Sequence, residues 1–159
     1  MKRVLRAYLG LLVLLWAGAA QAMCSETTVD LRGTWGQARF SVEIADTDET
    51  RAMGLMHRER MARSAGMLFI YDRPTAPSFW MRNTLIALDM IFVDPTGRVS
   101  HIHHNAIPLD ETPIPGGENV LMVLEINGGL ARALGVSVGS EMRHPRLAQD
   151  SAVWPCIEG

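Results

Sequence analysis

Apolar and polar positions alternate along much of the chain after residue 27. In Gln37 to Ile44, Ala38, Phe40, Val42 and Ile44 fall on one side, and Gln37, Arg39, Ser41 and Glu43 on the other. Thr28 to Arg32 alternates in the same way, with Val29 and Leu31 together. A period of two predicts half-buried strands, and Gly33-Thr34-Trp35-Gly36 between them predicts a hairpin loop. Gly66 to Tyr71, Leu88 to Val93 and Val120 to Ile126 are nearly continuous apolar runs, which predict buried strands. Ser78 to Met81, Arg98 to His104 and Glu141 to His144 complete the strand set. Asp94-Pro95-Thr96-Gly97 supplies a hairpin turn.

Two short helices interrupt this pattern. Asp46 followed by Glu49 resembles a capping box and predicts a helix over about 47–56, with a further turn at 58–63. Leu130 to Leu134 predicts a second helix, stopped by Gly135. The fold class expected is mainly β (α+β): one compact β-sandwich or barrel-like domain with two short helices. A loop from Asn105 to Asn119, rich in Pro and Gly, is long enough to serve as a lid or a tether.

The first 22 residues stand apart. Lys2, Arg3 and Arg6 precede the apolar run Ala7 to Ala20, and Ala20-Gln21-Ala22 forms a small-x-small cleavage site. This order predicts a signal peptide over 1–22 and a periplasmic or secreted domain over 23–159. Cleavage removes three of the 15 basic residues and none of the 17 acidic ones, leaving 12 against 17, or −5. An acidic chain is a poor partner for nucleic acid or for an anionic membrane surface. Cys24 and Cys156, the two cysteines, lie near the ends of the mature chain. In an oxidising compartment they are expected to pair, and the chain-entropy model sets a ceiling of roughly 5 kcal/mol for so long a loop.

Few residues offer chemistry. Asp89 and Glu125 are carboxylates inside apolar strands, where an unpaired charge is costly. They are candidates either for an acid/base pair or for separate structural partners. Arg51, Arg58, Arg60 and Arg63 form a loose cluster near the first helix. Arg51 and Arg58 would share a face of a continuous helix, with Glu49 and Glu59 available as partners. His101 and His103 would point to the same side of a strand, which raises a metal site supplemented by Met thioethers. No Gly-x-Ser-x-Gly elbow, phosphate loop, zinc-protease motif or Cys-x-x-Cys pair is present in the sequence.

An ordered series of motifs runs through the mature chain: Gly54-Leu55-Met56-His57-Arg58, Gly66-Met67-Leu68-Phe69, Phe79-Trp80-Met81-Arg82-Asn83-Thr84, Leu88 to Val93, Leu124-Glu125-Ile126-Asn127-Gly128-Gly129, Gly135 and Val138-Gly139. In that order it resembles domain of unknown function family 192, over a core of about 28–145, and in particular its exported bacterial members. The resemblance implies a compact β-rich domain with short helices. It brings no activity with it. Its motif positions here include Met56, Arg58, Trp80, Met81, Asn83, Thr84, Asp89, Glu125 and Asn127, and similar exported members suggest His103 and Asn105. Arg82 departs from the Lys frequent in the family.

Apolar residues beside a few polar groups make the usual wall of a small-ligand pocket. The function expected is therefore a non-catalytic module that binds a small molecule or a periplasmic protein. It is expected to act as a monomer, with no cofactor and no dedicated metal. One alternative is a hydrolase or lyase using Asp89 and Glu125, with His103 as proton carrier. Another is a periplasmic metal carrier using His101, His103 and Met side chains.

Overall fold

The computed structural model describes residues 24–156. The predicted leader lies outside these residues. In chain order the elements are β1 (Thr28–Gly33), β2 (Gly36–Ala45), α1 (Asp48–Met53), β3 (Ala65–Thr75), β4 (Ser78–Phe79), β5 (Leu88–Val93), β6 (Val99–Ala106), β7 (Ile114–Pro115), β8 (Val120–Asn127), α2 (Leu130–Leu134) and β9 (Glu141–Arg143). Seven strands form one sheet in the order β6-β5-β8-β3-β2-β1-β9, while β4 and β7 form a two-stranded ribbon. The protein is thus mostly β, a curled half-barrel with two short helices. The sheet curls until its edges meet at one end. There Arg98 bridges Glu141, and Val99 donates its backbone N–H to the Ser140 carbonyl at 2.8 Å.

Alternation along the strands sorts the core into two layers. Val29, Leu31, Phe40, Val42, Leu68, Ile91, Leu124 and Ile126 point to the concave side and pack with Leu130 and Ala131 of α2. Met67, Phe69, Met90, Phe92 and Val123 point to the other side. The β4–β7 ribbon and the segments around Leu55 and Met81 cover that outer face. Hence β5, with a layer on each face, is buried at every position, Asp89 included, as its nearly continuous apolar run predicts.

Some local features differ from expectation. The N-cap of α1 is Thr47, not Asp46, and its box partner is Thr50, not Glu49. Thr47 N–H donates to Thr50 Oγ1 at 3.0 Å, and Thr50 N–H donates back to Thr47 Oγ1 at 3.2 Å. The helix stops at Met53 because Gly54 turns to φ 49°, so the further turn at 58–63 does not form as a helix. The strand expected over 78–81 shrinks to Ser78–Phe79. Its partner strand β7 lies inside the expected long loop, which begins later because β6 runs on to Ala106.

Cys24 and Cys156 are joined by a disulfide, with their Cα atoms 5.7 Å apart. Reduction is expected to cost about 3 kcal/mol, below the chain-entropy ceiling because a compact denatured ensemble already brings the ends nearer. Urea melts with and without reductant measure this. Identical midpoints would show that the bridge restrains nothing the sheet does not already fix.

Candidate functional site

The site begins with the register of β8. Glu125 pairs with Met67 of β3 on one side and with Met90 of β5 on the other. Its side chain therefore rises from the outer face of the sheet between two thioether side chains. Gly66, one position from Met67, lets the strands close up there, since a Cβ on it would lie 2.5 Å from the Glu125 carbonyl oxygen. Glu125 is only 4% exposed. No hydrogen bond or charge among the described residues offsets its burial, which alone pushes its carboxyl from 4.5 up to about 8.

Above Glu125 lies a cavity of about 320 Å³. β3 contributes Phe69 and Tyr71, which share the outer face with Met67 through the period of two. The ribbon contributes Phe79, which meets Phe69 edge to face at 5.1 Å between centroids. Leu55, Met56, Trp80 and Thr84 complete the wall, and α1 forms the rim with Asp48, Arg51 and Met53.

Backbone bonds hold the wall segments together. His57 N–H donates to the Asn83 carbonyl at 2.8 Å, Met81 N–H to the Asp110 carbonyl at 2.8 Å, and Leu109 N–H to the Thr84 carbonyl at 3.1 Å. His57, Asn83 and Leu109 all take positive φ at these junctions, where the chain must turn sharply.

Arg51 carries a positive charge at the rim, and three of its five N–H donors are engaged. They go to the carbonyls of Asp46 and Ile70 and to the Asp48 carboxylate, each at 2.7 Å. Its guanidinium also lies 5.3 Å from the centre of the Tyr71 ring. Burial raises the Tyr71 phenol above its ordinary value; Arg51 pulls it back and Glu125 adds to the rise. Tyr71 thus feels both Arg51 and Glu125. Thr84 Oγ1 donates to the Arg82 carbonyl at 3.3 Å, so toward the cavity it can only accept.

Asp89 belongs to a different place. It pairs with Ile126 rather than with Glu125, so it points to the opposite face of the sheet. It neither meets solvent nor pairs with an Arg. Its Oδ1 accepts the backbone N–H groups of Asn105 at 2.7 Å and Gly129 at 2.9 Å, and its Oδ2 accepts that of Ala131 at 2.7 Å. Asp89 therefore caps α2 from a neighbouring strand, where the N-cap residue Gly129 has no side chain to do so. The alternative of an Asp89–Glu125 acid/base pair is corrected: the two side chains leave opposite faces of the sheet.

Of the residues singled out in the sequence, Met56, Trp80, Thr84 and Glu125 come together around the cavity. The others do not line it. Arg58 is held bidentately by Glu43 of β2, because the helix ends before Arg58 and cannot place it beside Arg51. Met81 is a fully buried core side chain. Asn83 reaches the Met56 sulfur at 3.9 Å. Asn105 turns at φ 54° beside Gly128. Asn127 ties β8 to the carbonyls of Met61 and Ala62 at 3.3 and 3.0 Å.

His101 and His103 lie opposite Phe92 and Met90, on the same side of β6 as expected. His101 stacks on Phe92 at 5.5 Å. Burial, then His101 and His104, hold His103 below its ordinary value, with Asp89 opposing. Among the described residues no three His, Cys, Asp or Glu side chains converge as a metal site would require.

The residues missed from sequence are Leu55, Phe69, Tyr71 and Phe79 as wall, while Arg51, noted there only as part of an Arg cluster, stands at the rim. Their signal was present in the alternation of Met67, Phe69 and Tyr71. It needed the pairing of β3 with β8 to be read.

The family model described as "Uncharacterized ACR", that of domain of unknown function family 192, matches residues 29–144. The chain belongs to this family. Two solved structures resemble this member. A protein of unknown function from Novosphingobium aromaticivorans is 46% identical, with 72% of this chain and 82% of that one covered and a TM-score of 0.71. A Sinorhizobium meliloti protein described as a candidate transcription regulator is 36% identical, with 77% and 95% covered and a TM-score of 0.71. No curated protein matches the chain.

Proposed function

We propose that this member of family 192 is an exported, non-catalytic binding module that takes a small molecule into the cavity above Glu125. One observation carries the reading. A carboxyl is buried in the sheet with no protein partner and opens onto an aromatic-lined space. Burying a polar group without a partner costs roughly 1–3 kcal/mol, so a fold that needed only packing would gain from Leu or Met there. The cavity volume of about 320 Å³ falls at the small end of ligand pockets. Its wall sets aromatic and thioether side chains beside polar ones in nearly equal measure, so it offers both apolar contact and groups that orient a guest.

Catalysis is less well supported. The two strand carboxylates lie on opposite faces, and Glu125 has no second acid or base hydrogen-bonded to it. The regulator description of the Sinorhizobium protein is not carried over, because a mature charge of −5 works against nucleic-acid binding.

Production of the full chain in an exporting host tests the proposal. Native and denaturing mass spectra are expected to show a mature polypeptide beginning at Met23, carrying an organic adduct lost on denaturation. Ala52 is an exposed α1 residue that also lines the rim, and Ala52→Trp, which places a large ring there, is expected to abolish the adduct while leaving the fold intact. A bare polypeptide in both spectra would count against a tightly held ligand and favour a protein partner.

A further inference from the structure

The chemistry of the cavity narrows what it can hold. Resting on the pocket reading above, we infer that its ligand is a small organic monocation, a primary amine on a compact apolar body, whose ammonium pairs with Glu125 inside the ring of Phe69, Tyr71, Phe79 and Trp80. Three independent features favour positive charge. Glu125 is the one carboxyl facing the cavity floor, and it has no counter-ion there. Aromatic faces attract cations; Arg51 and Arg82 already lie over Tyr71 and Trp80, at 5.3 and 5.4 Å from the ring centres, which leaves Phe69 and Phe79 for a ligand cation. The mature chain is acidic, which concentrates cations near it.

Thr84 Oγ1 is left as an acceptor toward the cavity, so an ammonium has a second oxygen besides Glu125 to donate to. Arg51, the cation on the rim, is tied to two carbonyls and to Asp48 and does not neutralise Glu125. The charged and titratable groups facing Glu125 are Arg51 and Asp48 from α1 and Tyr71 from β3. A ligand ammonium would thus supply the missing charge. Binding it to a protonated Glu125 requires the carboxyl to release its proton to solvent. Proton release on binding is the signature that separates a cation from any neutral guest.

The test uses the mature, oxidised chain and three probes of one shape: 2-phenylethylamine, 2-phenylethanol and 3-phenylpropionate. Calorimetry at pH 7 in two buffers of different ionisation enthalpy reads both affinity and proton release. The amine is expected to bind at least ten-fold more tightly than the alcohol or the acid, with release of about one proton. Glu125→Gln is expected to weaken the amine ten-fold or more and to leave the alcohol unchanged. The wild-type comparison stands on its own should the variant fold poorly. Alcohol and amine binding equally, with no proton released, would overturn the cation and leave the pocket in place. Silence from all three probes would overturn both.

Discussion

Raising the pH is expected to remove roughly 5 kcal/mol of stability through Glu125 alone, the equivalent of moving its carboxyl from 4.5 in the unfolded chain to about 8 in the folded one. Between these two values the folded protein holds a proton that the unfolded chain has released. Unfolding free energy therefore falls as pH rises through this window. The contribution is fully present below 4.5 and lost above about 8. His103 and His144, both held below 6.5 with burial as the largest cause, act in the opposite sense, because protonating them below that value favours unfolding. The Glu125 contribution is isolated by subtracting the curve of Glu125→Gln, which cannot titrate. The difference is expected to be small near pH 4.5 and to favour the Gln variant by about 5 kcal/mol at pH 9. Urea unfolding across this range gives both curves. A flat difference would mean that Glu125 finds a partner or water in solution.

Asp89→Ala is expected to destabilise the protein by about 4 kcal/mol, with no dependence on any ligand. Three backbone N–H groups, those of Asn105, Gly129 and Ala131, lose their common acceptor. Each buried donor left unpaired costs roughly 1–3 kcal/mol, less whatever an entering water recovers. Asp89→Asn keeps one acceptor oxygen but turns an amide toward a donor, so its cost is expected to be intermediate. The damage is also expected to be local. The amides of Gly129 and Ala131 lose hydrogen-exchange protection before those of β8, because α2 spans only Leu130–Leu134 and is too short to hold itself. A loss of less than about 1 kcal/mol for the Ala variant would show that Asp89 is not the anchor of α2.

How much of this was legible beforehand depends on range in sequence. β5 and α2 follow the predicted residues because a nearly continuous apolar run and a terminal Gly act locally. The start of α1 was misplaced by one residue because Asp46-Thr47 offers two capping side chains in succession, and only the phase of the turn chooses between them. Ser78–Phe79 lies within a longer strand expected from sequence, but its partner Ile114–Pro115 was illegible, since a two-residue strand leaves no periodicity to detect.

The candidate site shows the same division. Glu125 was marked by its apolar neighbours and by the family motif, as was Asp89. Their opposite roles follow from a register, Asp89 against Ile126 and Glu125 against Met90, that neither strand encodes by itself. The Asp89 partners are backbone amides, which leave no side-chain pattern in the sequence. Arg58 was assigned to the pocket on its motif position, and its capture by Glu43 depends on a pairing across fifteen residues.

The most direct test of the account is the titration of Glu125 itself. With the protein labelled with ¹³C at glutamate carboxyl carbons, Glu125→Gln assigns its resonance, and the shift is followed against pH. The account predicts a midpoint near 8 for the free protein. It also predicts a fall of that midpoint when 2-phenylethylamine is present. A midpoint near 4.5 in the free protein would mean that solvent or a counter-ion already reaches the carboxyl. The unpartnered acid on which the pocket reading rests would then not exist.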